Sequence, residues 1–322
     1  MENVTFQADL KQAKTFLLNI ITAASEEKHL NWLSGQIQKL EENYNERSLF
    51  LAFSAASRFF EKQPVSLEES GIAEADKLRS GFRPASWNLL EVVRVYISLF
   101  IPYEDEKVYI STLDKLFETG DVAEITALYK AIPLWPRPEA HTKRAAEGVR
   151  TNMTVVLDAI AIENPYPAEY LDEIAWNQLL LKSIFTERPI FKITGADKRA
   201  NQKLADTLFD FAHERWAAGR YVIPELWRFT GKFLSTARFT DLERLLKEGN
   251  ELEQEAAILV CEDSNLPEAT ELKARYPEID KRVKTKNLDW NQLGKNYLKT
   301  LGQLPSGYQQ AGSGVSTKHT NL

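Results

Sequence analysis

Three consecutive helix-forming stretches of this sequence carry amide and charged side chains within largely apolar faces. Over 168–186, Asn177, Gln178 and Lys182 stand among Leu171, Ala175, Leu179 and Leu180. Over 198–218, Asn201 and Arg215 fall within the stripe of Leu204, Leu208, Ala212 and Trp216, and His213 flanks it. Over 139–162, Asn152 lies on the broad apolar side, while Glu147 and Arg150 share a polar row with Lys143, Thr154 and Asp158. Buried polar groups must be hydrogen-bonded or paired. These residues therefore either meet a ligand in a partly polar pocket between helices or satisfy one another in a structural network. Both readings stand at this level. The row containing Glu147 and Arg150 also reads as a solvated helix face. Asn152 suits the pinning of a neighbouring helix end. Arg215, near a helix C-terminus, suits the carbonyl oxygens of the next loop. Glu147, Lys182 and His213 are the groups with acid–base chemistry, and a catalytic reading needs two of them in one cavity.

The signatures of autonomous catalysis are missing from the sequence. There is no Walker-type phosphate loop and no G-x-G-x-x-G. His213-Glu214 lacks the second histidine of a zinc-protease helix, and Asp210 with His213 is half of a di-iron motif without its partner. There is no nucleophile elbow and no aspartate-rich diphosphate motif. No catalytic residue, metal site or cofactor is assigned. The ligand-binding candidates are Glu147, Arg150, Asn152, Asn177, Gln178, Lys182, Asn201, His213 and Arg215.

The elements that carry them are helical throughout. Apolar residues recur at three- and four-residue intervals, and strand alternation is nearly absent. Ser66 with Glu69, Asp121 with Glu124, Thr240 with Glu243 and Asp289 with Gln292 have capping-box spacing. Pro138 and Pro224 suit first-turn positions. The expected class is all-α, with about fifteen helices in an α-α stack, a solenoid-like, HEAT- or armadillo-like right-handed superhelix. Residues 1–304 read as one elongated domain, with 236–304 a C-terminal helical extension and 305–322 a disordered tail rich in Gly, Ser, Thr and Gln.

Composition narrows the class of partner. The 322 residues carry 40 basic and 46 acidic side chains, a formal net charge of -6. That balance argues against a phosphate-backbone binder, so no nucleic acid is expected. Cys261 is the single cysteine; it excludes an intrachain disulfide and reads as a small buried apolar residue. No apolar run approaches the ~20 residues that span a bilayer, and the most apolar stretch, Val92 to Ile101, contains Arg94. The N-terminal Phe16-Leu17-Leu18 region reads as an amphipathic helix, since Glu2 and Asp9 acidify the would-be basic region of a leader. A cytoplasmic protein without direct membrane insertion is expected.

An ordered set of motifs adds a resemblance. Arg144-Ala-Ala-Glu-Gly-Val-Arg-Thr-Asn-Met153 runs on to Asp158-Ala-Ile-Ala and Asn164-Pro-Tyr-Pro-Ala-Glu-Tyr170. Then come Trp176-Asn-Gln178, Lys182, Arg199-Ala-Asn201, Phe211-Ala-His-Glu-Arg-Trp-Ala-Ala-Gly-Arg220 and Pro224-Glu-Leu-Trp-Arg228. Upstream, Ser86-Trp87, Arg94, Leu116-Phe117, Ala127-Leu128-Tyr129 and Pro133-Leu134 fit as well. Over about 45–235 the chain resembles the EboA family. The resemblance implies a bacterial gene cluster for secondary metabolism that also encodes a UbiA-type membrane prenyltransferase and soluble enzymes. It implies traffic of a terpenoid or indole-alkaloid precursor towards or across the cytoplasmic membrane. The implied partners are a small-molecule metabolite or other cluster proteins, the prenyltransferase included, with a location peripheral to the inner membrane through such a partner. It implies no catalytic residue. The leading reading is a non-catalytic binding or adaptor protein; the alternatives are an enzyme acting on a prenylated or aromatic metabolite and a protein-interaction scaffold.

Overall fold

The computed structural model describes residues 7–301. Among them the chain is all-α, with seventeen α-helices and several 3-10 turns, and the extended pairing is an isolated bridge between Pro64 and Asn88. The expected disordered tail, 305–322, lies outside the described residues. Packing divides the chain into two compact units, 1–176 and 177–322.

The first unit holds α1 (Leu10–Ala23), α2 (Glu27–Glu42), α3 (Glu46–Ala55), α4 (Glu69–Leu78) and α5 (Leu89–Ser98). It continues with α6 (Glu106–Thr119), α7 (Val122–Ala131), α8 (Thr142–Arg150), α9 (Thr154–Ala161) and α10 (Tyr166–Tyr170). The boundary falls within α11 (Glu173–Phe185). At the centre of the first unit is α5, buried at every position except Glu91, as a helix apolar nearly all round requires. It packs against α1, α3 and α7, and α7 packs in turn against α9.

Capping and ion pairing are combined at the α5–α7 contact. Asn88 with Glu91 caps α5, and Asp121 with Glu124 caps α7, each as a reciprocal box. Both capping glutamates also take a cation from the other helix: Glu91 binds Lys130 at 2.7 Å and Glu124 binds Arg94 at 3.2 Å. Arg94 is 2% exposed and also donates to the Phe53 carbonyl at 3.4 Å. The charge that interrupts the apolar run is thus neutralised inside the core.

Two expected helices divide. The stretch 139–162 forms α8 and α9 with a bend at Thr151–Asn152–Met153, where the Thr151 hydroxyl accepts the Met153 amide at 3.2 Å. That local bond competes with the helical ladder, and it puts Asn152 on the exposed surface, not on an apolar side. Over 168–186, α10 and α11 are separate, and Ile174 and Phe185 of α11 are exposed. Of the four expected capping boxes, Asp121 with Glu124 forms, and Asp289 caps its helix through the Gln292 amide. Ser66 and Thr240 do not cap: α4 starts after Glu68 and the helix near 240 starts after Arg238, with no side-chain bond at either cap. Boxes led by Asn88 and Asn250 are found instead.

The second unit holds α12 (Gln202–Ala217), α13 (Phe239–Glu248), α14 (Glu251–Asp263), α15 (Pro267–Ala274), α16 (Pro277–Thr285) and α17 (Trp290–Thr300). Its centre is α14, which buries Ala256 through Cys261. Burial pushes the Cys261 thiol up to about 12, so it is an inert apolar group. Leu204, Ala205, Leu208, Phe209 and Ala212 of α12 are buried as expected, whereas Trp216 is half-buried, stacked on Trp227 with centroids 5.6 Å apart.

The C-terminal helix α17 packs on the 3-10 turns Ile190–Lys192 and Pro224–Phe229. Gly294 permits this, because a Cβ there would collide with the Glu225 carboxylate. Glu225 is 1% exposed, accepts the Phe191 amide at 3.0 Å and lies 3.9 Å from Arg228. Arg228 is itself engaged by Asp197 at 2.5 and 2.6 Å and by Asn291. The Pro224–Arg228 motif is therefore a structural seat. Burial outweighs the pull of Arg228 and raises the Glu225 pKa to about 7.

Two predictions follow from these buried charges. Arg94→Leu should cost about 3–5 kcal/mol in urea unfolding, because Glu124 is left buried without its cation. Adding Glu124→Leu should recover part of that loss; a double variant less stable than the single one would contradict the pairing. The Glu225 carboxyl, raised in the folded state, contributes stability that is fully present below its unfolded value and is lost as pH rises to about 7. Glu225→Gln should therefore gain relative to the wild type between about pH 4.5 and 7, by up to about 3 kcal/mol. A stability difference independent of pH would show that the carboxyl does not titrate there.

Candidate functional site

The first unit contains a groove of about 340 Å³ among α6, α7, α8 and the start of α9. Phe117 of α6 and Ile125 and Tyr129 of α7 form one wall. Arg144, Glu147 and Arg150 project from α8 at intervals of three, and Thr151, Met153 and Val156 complete the lining from the bend and α9. The volume lies at the lower end of the range for small-molecule sites.

The groove depends on a glycine. Tyr129 lies so close to α8 that a Cβ at Gly148 would stand 2.5 Å from its ring, well inside van der Waals contact. The ring then packs on Phe117, with centroids 4.9 Å apart. Burial, the largest cause, raises the Tyr129 pKa to about 12, and Arg144, Glu147 and Arg150 all act on the same hydroxyl.

The two arginines differ in availability. Arg144 is saturated: it donates to Glu147 at 2.7 Å and to Asp114 at 2.5 Å, and its guanidinium lies 4.6 Å over the Phe117 ring. Arg150 is exposed at the end of α8. Among the described residues it has no hydrogen-bond or ion-pair partner. Facing these charges, Met153 offers a half-exposed thioether and Val156 and Ile125 an aliphatic surface.

A family model described as metabolite traffic protein EboA matches residues 13–231. The chain belongs to the EboA family. The match covers every helix of the groove and reaches upstream of the resemblance read over 45–235, into α1. No curated protein and no solved structure is significantly similar to the chain. The EboA segment ends before α13, so the last five helices lie beyond the match.

The candidate residues of this EboA chain divide between its units. Glu147 and Arg150 line the groove, and Asn152 sits beside it on the surface of the bend. In the second unit, Asn177 and Asn201 bond each other through both amides, at 3.1 and 2.8 Å, and Asn201 also caps α12 through the Leu204 amide. Gln178 is exposed. Lys182 is half-buried, and burial lowers its pKa. His213 is exposed and its Nε2 lies 2.7 Å from Asp241. Arg215 donates to the Tyr221 carbonyl at 3.1 Å, the loop contact that its place near a helix end suggests. Of the three acid–base candidates, the groove is lined by Glu147 and by neither Lys182 nor His213. No cluster of three His, Cys, Asp or Glu side chains among the described residues could hold a metal ion, and no described helix is long and apolar enough to cross a membrane.

Phe117, Ile125, Tyr129, Arg144, Thr151, Met153 and Val156 were not among the sequence candidates. One signal could have found part of this set: Gly148 interrupts a helix, and a helical glycine often marks a close approach. Gly148→Ala should raise helix propensity by about 1 kcal/mol yet destabilise the protein by about 1–3 kcal/mol in denaturant unfolding, through overpacking against Tyr129. A stabilised variant would show that the ring yields freely.

Proposed function

We propose that the protein is a non-catalytic binding or adaptor protein that takes a metabolite of terpenoid or indole type in the groove of its first unit, on the way towards or across the cytoplasmic membrane. Family membership supports traffic as the role. The observation that carries the reading is Arg150, which has no hydrogen-bond or ion-pair partner among the described residues and stands at the edge of a groove lined also by aromatic, thioether and aliphatic groups and by the mutually paired Arg144 and Glu147. Small-molecule sites combine a mostly apolar lining with a few polar groups that orient the ligand, and this lining has that composition. Partner proteins of the same cluster, a UbiA-type membrane prenyltransferase included, would deliver or receive the cargo. The enzyme reading has less support, because Glu147 is the single member of the acid–base set at the groove.

Binding of small terpenoids and indoles by calorimetry tests this. Met153 is 41% exposed, so Met153→Trp should fill the groove without disturbing the core. That variant should keep its melting temperature and lose at least about tenfold in affinity, equivalent to about 1.4 kcal/mol. Undiminished binding by the filled variant would remove the groove from the account.

A further inference from the structure

We infer that the groove selects a ligand whose polar end carries a single negative charge, a carboxylate on an apolar body, over a diphosphate. The inference rests on the groove being the metabolite site and adds the chemistry of the head group.

Its basis is the charge available to a ligand. Two arginines line the groove, but both ends of the Arg144 guanidinium are occupied by Glu147 and Asp114, and its face covers Phe117. Those two carboxylates hold both terminal nitrogens of Arg144 and leave neither for a ligand. Only Arg150 is left to form a new charge-assisted bond, and no lysine or histidine is among the lining residues. A carboxylate matches that one cation and can also accept from the Tyr129 hydroxyl, which burial keeps protonated up to about pH 12. A diphosphate brings several negative charges to the same place. It would have to displace Glu147 or Asp114 from Arg144, or lie against their carboxylates, and either course costs pairing or adds repulsion. Phosphate sites are built from clustered cations or from glycine-rich backbone. No glycine is among the lining residues, and the backbone at Gly148 is covered by the Tyr129 ring.

Head-group preference is measured with three probes that share one apolar body: geraniol, geranic acid and geranyl diphosphate, titrated calorimetrically into the full chain. Geranic acid should bind more tightly than either of the others, by up to about fivefold, the upper range for an ion pair at a partly exposed site. The preference should fall as salt is raised. Arg150→Gln, a change at an exposed position, should reduce the acid-to-alcohol ratio to about one. Glu147→Gln should remove one of the two negative charges held against Arg144 and shift the diphosphate-to-acid ratio by about fivefold in favour of the diphosphate. Tightest binding of geranyl diphosphate to the wild type, or an acid-to-alcohol ratio untouched by Arg150→Gln, would overturn the inference while geraniol binding still upheld the groove. Failure of all three probes, geraniol included, would overturn both.

Discussion

The contact between the Tyr129 ring and the bare backbone at Gly148 sets the geometry on which the site depends. Helices with ordinary side chains at their interface keep their axes some 8–10 Å apart. Removing a Cβ at one point lets an aromatic ring occupy the space, and Tyr129 then lies between Phe117 and α8. Because the ring sits deep, the outward-facing residues of α8, Arg144, Glu147 and Arg150, stand above a recess and not above a filled interface. Two members of the polar row that a helical wheel assigns to solvent, Glu147 and Arg150, thereby become part of one side of a groove.

The same economy of charge runs through the first unit. Capping carboxylates at the starts of α5 and α7 each serve twice, satisfying a helix end and neutralising a cation from the neighbouring helix. Burying a lone guanidinium would be costly, so Arg94 is tolerated within the apolar run because Glu124 and the Phe53 carbonyl receive it. At the groove the arrangement is left incomplete by one group. Arg144 is fully engaged; Arg150 is not. A cation held at the edge of a partly apolar recess is what a small amphiphilic ligand with one anionic end would complete.

Much of this architecture is written locally in the sequence. The three- and four-residue periodicity specifies the helical class. The stripe of α12 is buried where the wheel places it from Leu204 to Ala212, though only in part at Trp216, and Arg94 announces itself as a charge that must be paired. Glu147 and Arg150 were legible as a polar row, but not as groove residues, since their opposite wall comes from Phe117 and Tyr129 on other helices. Periodicity assigns a face to a helix, not the neighbour that covers it. The bend at Thr151 was hidden for a different reason: the apolar pattern continues across it, while a single hydroxyl–amide bond decides the backbone. The amides of Asn177 and Asn201 illustrate the remaining ambiguity. Their polarity was visible, but that they satisfy each other depends on two helices meeting in one register.

Met153 provides the most direct test of the groove as a binding site. The chain contains two methionines, Met1 and Met153, so selective labelling of methionine methyl groups reports on the groove with one resonance and on the chain terminus with the other. On titration with geranic acid, the Met153 methyl should shift to saturation. Calorimetric binding without any movement of the Met153 signal would contradict the account.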